Sequence, residues 1–433
     1  DPERITSLFA FVSEARKAGM LLACHDRSDG GAIVAMIEMA LAGHCGLELD
    51  LDGWADSWLR GLFNEELGLV VQIRERDHDA FQALLEKHAL SSLGHRVGTP
   101  CRKMHVRLRL AGAKFGKWDW TELMTLWSQT SHAMQRLRDN PASADSELNV
   151  VCDEADPGIS TKLTFATDDD IAAPYICRGI RPRVAVLREQ GVNGQIEMAA
   201  AFTRAGFEAV DVHMSDLIAG RRRIAEFQGL AACGGFSYGD VLGAGRGWAT
   251  SILLNPMLRE QFSGFFSDPS KFSLGVCNGC QMLAHLKDII PGAAAWPRFA
   301  RNASEQYEAR LVTVEVVESP SLFFHGMAGS RIPVVVAHGE GRTEYSGGAG
   351  ADHVEACLRF VDNVGKPTER FPLNPNGSAR GITGMTAAEG RVTILMPHPE
   401  RVFRSTQLSW RPSDWGEASP WLRIFRNARA WVN

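Results

Sequence analysis

Leu274-Gly275-Val276-Cys277-Asn278-Gly279-Cys280-Gln281 is an apolar run that ends in a cysteine between two glycines and then continues into helix-forming residues. It reads as a strand, a tight turn and a helix from Gln281, the setting of a nucleophile elbow with Cys277 in place of serine. The glycines matter because a nucleophile on so sharp a turn leaves no room for neighbouring side chains. A helix N-terminus favours a thiolate through its dipole, and its unbonded N–H groups can hold an oxyanion. A strand passing directly into a helix is also the repeating unit of a parallel α/β sheet.

The same grammar surrounds this stretch. Short buried-type strands are read at 184–187, 209–212 and 230–233, with a helix at 195–205 stopped by Gly206. Later β-rich runs lie at 311–317, 334–337, 358–361 and 392–396. Residues 182–433 are therefore expected to form a doubly wound, mostly parallel sheet with helices on both faces. Residues 1–138 mix helical patterns at 5–15, 32–42, 81–86 and 118–137 with strand-like pieces at 47–51, 67–73 and 105–110, which predicts an α+β lobe. Between them, 139–181 is broken by Asn140-Pro141, Asp156-Pro157-Gly158, Asp168-Asp169-Asp170 and Ala173-Pro174 and reads as an extended linker. Gly347-Gly348-Ala349-Gly350 reads as a hairpin or loop tip.

A nucleophilic thiol needs a base, and the base needs an orienting group. Met396-Pro397-His398-Pro399-Glu400 follows a predicted strand, at the sheet end where α/β folds bind ligands. His398 and Glu400 are two residues apart, so an extended backbone puts both on one side. Cys233-Gly234-Gly235-Phe236-Ser237-Tyr238-Gly239-Asp240 follows another strand, and the N–H groups of Gly235 and Asn278 are the expected oxyanion donors. Plainer readings stand beside these. Cys277-x-x-Cys280 fits a redox dithiol or half a zinc site, although no second half appears. His398 alone would be a structural histidine, and Gly234-Gly235 a simple turn. In the first lobe, His25-Asp26-Arg27-Ser28-Asp29-Gly30-Gly31 precedes a helix. Asp26, Ser28, Asp29, Gly30 and Gly31 are read either as its N-cap or as a phosphate or nucleotide site. Asn64 and Glu65 are weak metal candidates. Trp118, Trp120 and Trp127, and Cys24, Cys45, Cys101, Cys152, Cys177, Cys233 and Cys357, are expected to be packing residues.

Taken together, the elbow, Gly234-Gly235-Phe236-Ser237-Tyr238-Gly239-Asp240, His338-Gly339-Glu340-Gly341-Arg342 and Pro397-His398-Pro399-Glu400 resemble the class I glutamine amidotransferases, and within them the phosphoribosylformylglycinamidine synthase family. The Asp26–Gly31 motif and Phe63-Asn64-Glu65-Glu66-Leu67-Gly68 resemble the last synthetase lobe of that family's large single-chain form, an aminoimidazole-ribonucleotide-synthetase type of lobe. The resemblance spans essentially the whole chain. It implies a Cys277-His398-Glu400 triad that hydrolyses glutamine through a thioester, with Gln281 positioning substrate. It implies a role for His338, Glu340 and Arg342 in a loop facing the synthetase. The ammonia would serve ATP- and Mg2+-dependent conversion of formylglycinamide ribonucleotide to the formylglycinamidine, in purine synthesis. ATP and Mg2+ would bind mostly outside this chain, in an N-terminal synthetase part of the same enzyme, which is expected to be monomeric at full length. The chain, which opens on Asp1, is read as a C-terminal fragment retaining the glutaminase half-reaction.

Two other functions remain open at this level: a glutaminase-fold regulatory or binding module without turnover, and a papain-like or isomerase-type cysteine hydrolase. Composition removes several more. At 433 residues, with 45% hydrophobic and 22% charged residues, disorder and coiled coil are excluded. A formal charge of -5 argues against nucleic acid as main partner. No apolar run reaches the length of about 18 residues that a membrane span requires. Nine cysteines without a disulfide framework point to a reducing, cytoplasmic compartment.

Overall fold

The computed structural model describes residues 2–51, 58–110, 113–345 and 350–432. Most of the 347–350 glycine patch lies outside them. The chain divides into two compact units, one built from Asp1–Ala133 with Leu148–Ala155, the other from Met134–Glu147 with Asp156–Asn433.

The first unit is α+β. A four-stranded sheet runs in the order Gly98–Cys101, Gly46–Asp50, His105–Leu110, Ala113–Asp119, with Ala23–Asp26 and Leu69–Gln72 pairing separately. The helix Gly31–Ala42 is apolar on nearly every side, and it buries Ala32, Ile33 and Met36 against Leu49, Val106 and Leu108 of the sheet. Phe11 and Ala15 of Pro2–Lys17 pack with Phe81, Leu84 and Leu85 of His78–Lys87, the i, i+3, i+4 spacing of a helix–helix seam. Trp120 is buried as expected, but Trp127 is 59% exposed and spends its indole N–H on Glu38. It lies on the outer face of its helix, where no core reaches it.

The second unit holds a nine-stranded sheet. Its parallel half runs Val392–Leu395, Phe272–Val276, Gly229–Ala232, Arg183–Arg188, Glu208–His213. The first three of these are buried at every residue, as strands covered by helices on both faces must be. The other half is an antiparallel extension through Ile382–Ala387, Glu355–Phe360, Glu308–Val316 and Arg331–His338. Phe202, Phe207, Phe272 and Phe425 meet edge to face or stacked at 5.0–6.3 Å and close one side of the parallel half.

Asn140-Pro141 does not break the chain but starts a helix, Pro141–Val151. The Asn140 carbonyl oxygen of the side chain caps the Ser143 N–H at 3.1 Å, and proline suits the first helical position. Farther on, Asp169 and Asp170 pair with Arg423 and Arg426 of the last helix, Leu422–Val432. Among the described residues no helix is long and apolar enough to cross a membrane.

Candidate active site

Three segments far apart in sequence meet because they follow the C-terminal ends of three adjacent parallel strands: 233–240 after Gly229–Ala232, the elbow after Phe272–Val276, and 396–400 after Val392–Leu395. This is the end of the sheet where α/β folds place ligands.

Cys277 has φ 51°, a left-handed conformation that non-glycine residues seldom adopt, and the helix Asn278–His285 starts directly after it. The helix therefore begins three residues earlier than the periodicity suggests. Its first turn packs so closely on the neighbouring strand that a side chain at Gly279 would run into the Ala232 carbonyl. The Cys277 N–H donates to the Leu395 carbonyl at 2.9 Å, and its thiol lies 3.7 Å from the Ala337 carbonyl.

His398 is 1% exposed. Its Nδ1 lies 2.7 Å from Oε1 of the fully buried Glu400, and its Nε2 is left to the Cys277 thiol. The backbone between them is not extended. Pro399, with its fixed φ, opens a 3-10 turn over Pro399–Arg401 that folds the carboxylate back onto the ring. Burial by itself would keep the imidazole neutral, but the charges of Glu400 and Cys277 outweigh it and push its pKa up to about 10. Gly234 stands over this pair: a Cβ there would sit 2.7 Å from the imidazole Cε1 and 3.3 Å from Cys277 Cβ.

Asn278 and Gln281 are buried and tie the site together. The Asn278 side chain accepts from the Ser237 N–H at 3.1 Å and donates to Asp240 at 3.0 Å and to Gln281 Oε1 at 3.1 Å. Gln281 Nε2 donates to the Glu340 carbonyl at 2.5 Å, and the Glu340 carboxylate accepts from the Ala244 N–H at 3.2 Å. The 338–342 segment is not a loop: His338 ends the strand Arg331–His338, and Glu340 opens the strand Glu340–Glu344, which pairs with Arg298–Arg301. His338 is buried with Nε2 3.2 Å from the Asn376 amide, and burial, then the neighbouring His398, pulls its pKa down to about 3. Arg342 donates to the Arg301 carbonyl at 3.2 Å.

Asp240 and Asn376 join this network without having been named individually from sequence, while the Tyr238 hydroxyl donates outside it, to Glu189 at 2.8 Å. The Gly239-Asp240 motif signalled the first. Nothing local signals Asn376, which reaches His338 only through the fold. Cys280 is buried in the core, which pushes its thiol well up, with the Cys277 charge adding to it. Cys233 and Cys357 are likewise buried. Cys24 and Cys177 are instead exposed, and Cys45, Cys101 and Cys152 half-buried, because the segments that carry them lie at sheet edges, a helix end and surface turns.

In the first unit, no side chain of Asp26, Ser28 or Asp29 caps the helix Gly31–Ala42. Its N-cap is Gly30 in a left-handed conformation, and the Gly30 N–H donates to Glu65 Oε1 at 2.9 Å. The chain's own carboxylate thus fills that anion position. Gly31 N–H bonds the Ser28 carbonyl at 2.9 Å, and Glu66 pairs with Arg27 at 2.8 Å. Of the pair Asn64 and Glu65, Glu65 is thus engaged by an amide, and Asn64 directly follows the helix Trp58–Phe63.

Residues 181–432 match the family model described as a CobB/CobQ-like glutamine amidotransferase domain, and residues 1–105 that of the AIR synthase related protein, C-terminal domain. Among solved structures, PurLQS from Thermotoga maritima is 22% identical over 57% of this chain and 97% of its own, with a TM-score of 0.45. PurL of the same organism, complexed with ATP, is 18% identical over 28% of this chain and 22% of its own, with a TM-score of 0.26. A glutamine amidotransferase, again from Thermotoga maritima, is 19% identical over 51% of this chain and 77% of its own, with a TM-score of 0.30.

Proposed function

Because this chain belongs to the CobB/CobQ-like glutamine amidotransferase domain family, we propose that Cys277, His398 and Glu400 are the catalytic triad of a glutaminase. The observation that carries this is the buried imidazole held between Glu400, at 2.7 Å, and a thiol on a strained elbow. For attack, His398 takes the thiol proton of Cys277, giving thiolate and imidazolium. The thiolate attacks the carboxamide carbon of glutamine. The Gly235 and Asn278 N–H groups hold the oxyanion, His398 gives its proton to the departing ammonia, and a thioester remains. His398, now neutral, takes a proton from water, whose attack releases glutamate. Glu400 keeps the ring in the required orientation throughout. Gln281, held by the Glu340 carbonyl, helps position glutamine, and His338, Glu340 and Arg342 form the segment that faces the synthetase.

The AIR synthase related match in the first unit supports the larger reading, in which the ammonia goes to ATP-dependent formation of formylglycinamidine ribonucleotide from formylglycinamide ribonucleotide. In that reading 1–138 is a synthetase lobe, 139–181 a linker and 182–433 the glutaminase, with the remaining synthetase part as partner. ATP with Mg2+ supplies the phosphoryl activation there. Within this chain, Asp26, Ser28, Asp29, Gly30 and Gly31 are the residues that would approach a nucleotide phosphate, which would have to displace the Glu65 carboxylate from the Gly30 N–H. The exposed thiols of Cys24 and Cys177 suit a reducing, cytoplasmic setting.

The test is to treat the protein with a glutamine-mimicking electrophile and locate the modified residue by mass spectrometry. Labelling of Cys277 that excess glutamine suppresses is expected. Equal labelling of Cys277 and Cys280, unaffected by glutamine, would instead make the pair a dithiol.

A further inference from the structure

In the first unit, three different ligand types gather on one face of the four-stranded sheet. Cys101 ends the strand Gly98–Cys101 and pairs with Gly46 of the middle strand Gly46–Asp50. His105 opens the neighbour on the other side, one residue before the Val106 that pairs with Leu47. Glu48 stands two residues beyond Gly46, hence on the same face. The middle position is glycine because the Lys103 and His105 carbonyls pack directly onto it, where a side chain would collide. The Cys101 sulfur, a His105 ring nitrogen and a Glu48 carboxylate oxygen all lie within 4.8 Å of one another. His105 is buried, while Cys101 and Glu48 are half-buried.

We propose that Glu48, Cys101 and His105 form a binding site for a divalent metal ion of the zinc class, with the fourth position open to a water molecule. The donor set decides the class. A thiolate disfavours Mg2+ and Ca2+, whereas sulfur, imidazole and carboxylate together suit tetrahedral Zn2+. The ordinary alternative is an ion pair: His105 Nε2 lies 2.8 Å from Glu48 Oε1, and Arg107 reaches the same carboxylate at 3.3 Å. That accounts for two of the three groups but gives no use to the sulfur aimed at the same point, whose one hydrogen bond is to the Lys103 carbonyl at 3.4 Å. Metal binding replaces the His105–Glu48 hydrogen bond, releases the Cys101 thiol proton to water, and leaves Arg107 as an outer partner of the carboxylate.

The test titrates the full chain with Co2+, which reports a thiolate ligand through a charge-transfer absorption, and then displaces it with Zn2+. One equivalent of Co2+ is expected to give the band and Zn2+ to abolish it. The band should vanish in Cys101→Ser and persist in Cys277→Ala, which separates this site from the other cysteine, histidine and glutamate grouping in the molecule. Glu48→Gln should keep the band but weaken Zn2+ binding by at least the roughly 10–100-fold that loss of an outer partner costs. A band that survives Cys101→Ser, or no Co2+ binding by a folded wild-type chain, overturns the proposal. Should Cys101→Ser fail to fold, unchanged Zn2+ affinity in Glu48→Gln overturns it equally.

Discussion

Each unit sends a strand through a glycine-bearing turn into a helix N-terminus, and the two turns have been put to different use. In the first unit, Ser28-Asp29-Gly30-Gly31 enters Gly31–Ala42, and the Gly30 N–H is bonded by the Glu65 carboxylate at 2.9 Å. In the second, Cys277-Asn278-Gly279 enters Asn278–His285, with Cys277 itself at the N-cap in a strained conformation. The surroundings differ in the same sense. The side chain of Asp26 is 72% exposed, whereas His398 and Glu400 are sealed from water. A helix N-terminus is an anion position in both cases. What makes one of them a candidate catalytic centre is a nucleophile on the turn and a buried base beside it.

The largest break in this comparison would come from Cys277→Ala. It should remove glutamine turnover to background, a loss on the order of 10⁴-fold or more, while Cys280→Ala keeps most of it. Glutamine hydrolysis by the Cys277→Ala protein would move the nucleophile elsewhere.

Glu400→Gln comes next, with turnover lowered on the order of 10²–10⁴-fold. The sign of its pH effect follows from the balance at His398. Burial favours the neutral ring, and the charge of Glu400 is the strongest influence opposing it. Without that charge the ring loses its proton at lower pH, and the alkaline limit of glutamine turnover, which needs the protonated ring as donor to ammonia, moves down. A pH profile of turnover identical to wild type would remove Glu400 from its role as orienter.

Gly234→Ala sharpens the comparison by testing clearance alone. Its Cβ would displace the His398 ring, which stands 2.7 Å away, so turnover should fall about 100-fold with near-UV circular dichroism preserved. Activity within a factor of two of wild type would mean the ring yields freely. The smallest effect belongs to the first unit. Glu65→Gln should cost under about 1 kcal/mol in urea unfolding, because the helix end is exposed. The same change should strengthen binding of inorganic phosphate or a nucleotide at Gly30, since the resident anion is gone. Weaker binding would show that Glu65 acts with the ligand rather than in its place.

Much of this was legible locally. The elbow is written in Gly275, Cys277 and Gly279, and the run of apolar strands separated by helices announces a parallel sheet. His398 and Glu400 were readable as a pair from Pro-His-Pro-Glu, yet not their geometry: proline spacing suggested extension, and the packing of Glu400 into the core selects a 3-10 turn. Asn140-Pro141 looked like a break because the same two residues serve equally at a helix start. The antiparallel half of the large sheet was unreadable, since its pairings join residues such as Val314 and Phe360 across long loops. Cysteine burial was misjudged for five of the seven because hydrophobicity says nothing about which edge of a sheet a residue occupies.

Local sequence therefore dictates the elements, the strained turn under Cys277 and the chemical kinds of group available, because steric and hydrogen-bonding rules act over a few residues. It takes the assembled fold to lay 229–232, 272–276 and 392–395 side by side, to bring Gly234 over the His398 ring, and to make Cys101, Glu48 and His105 converge across three strands. Those relations depend on strand order and register, which are set by burial of the whole core and leave no mark within any single segment.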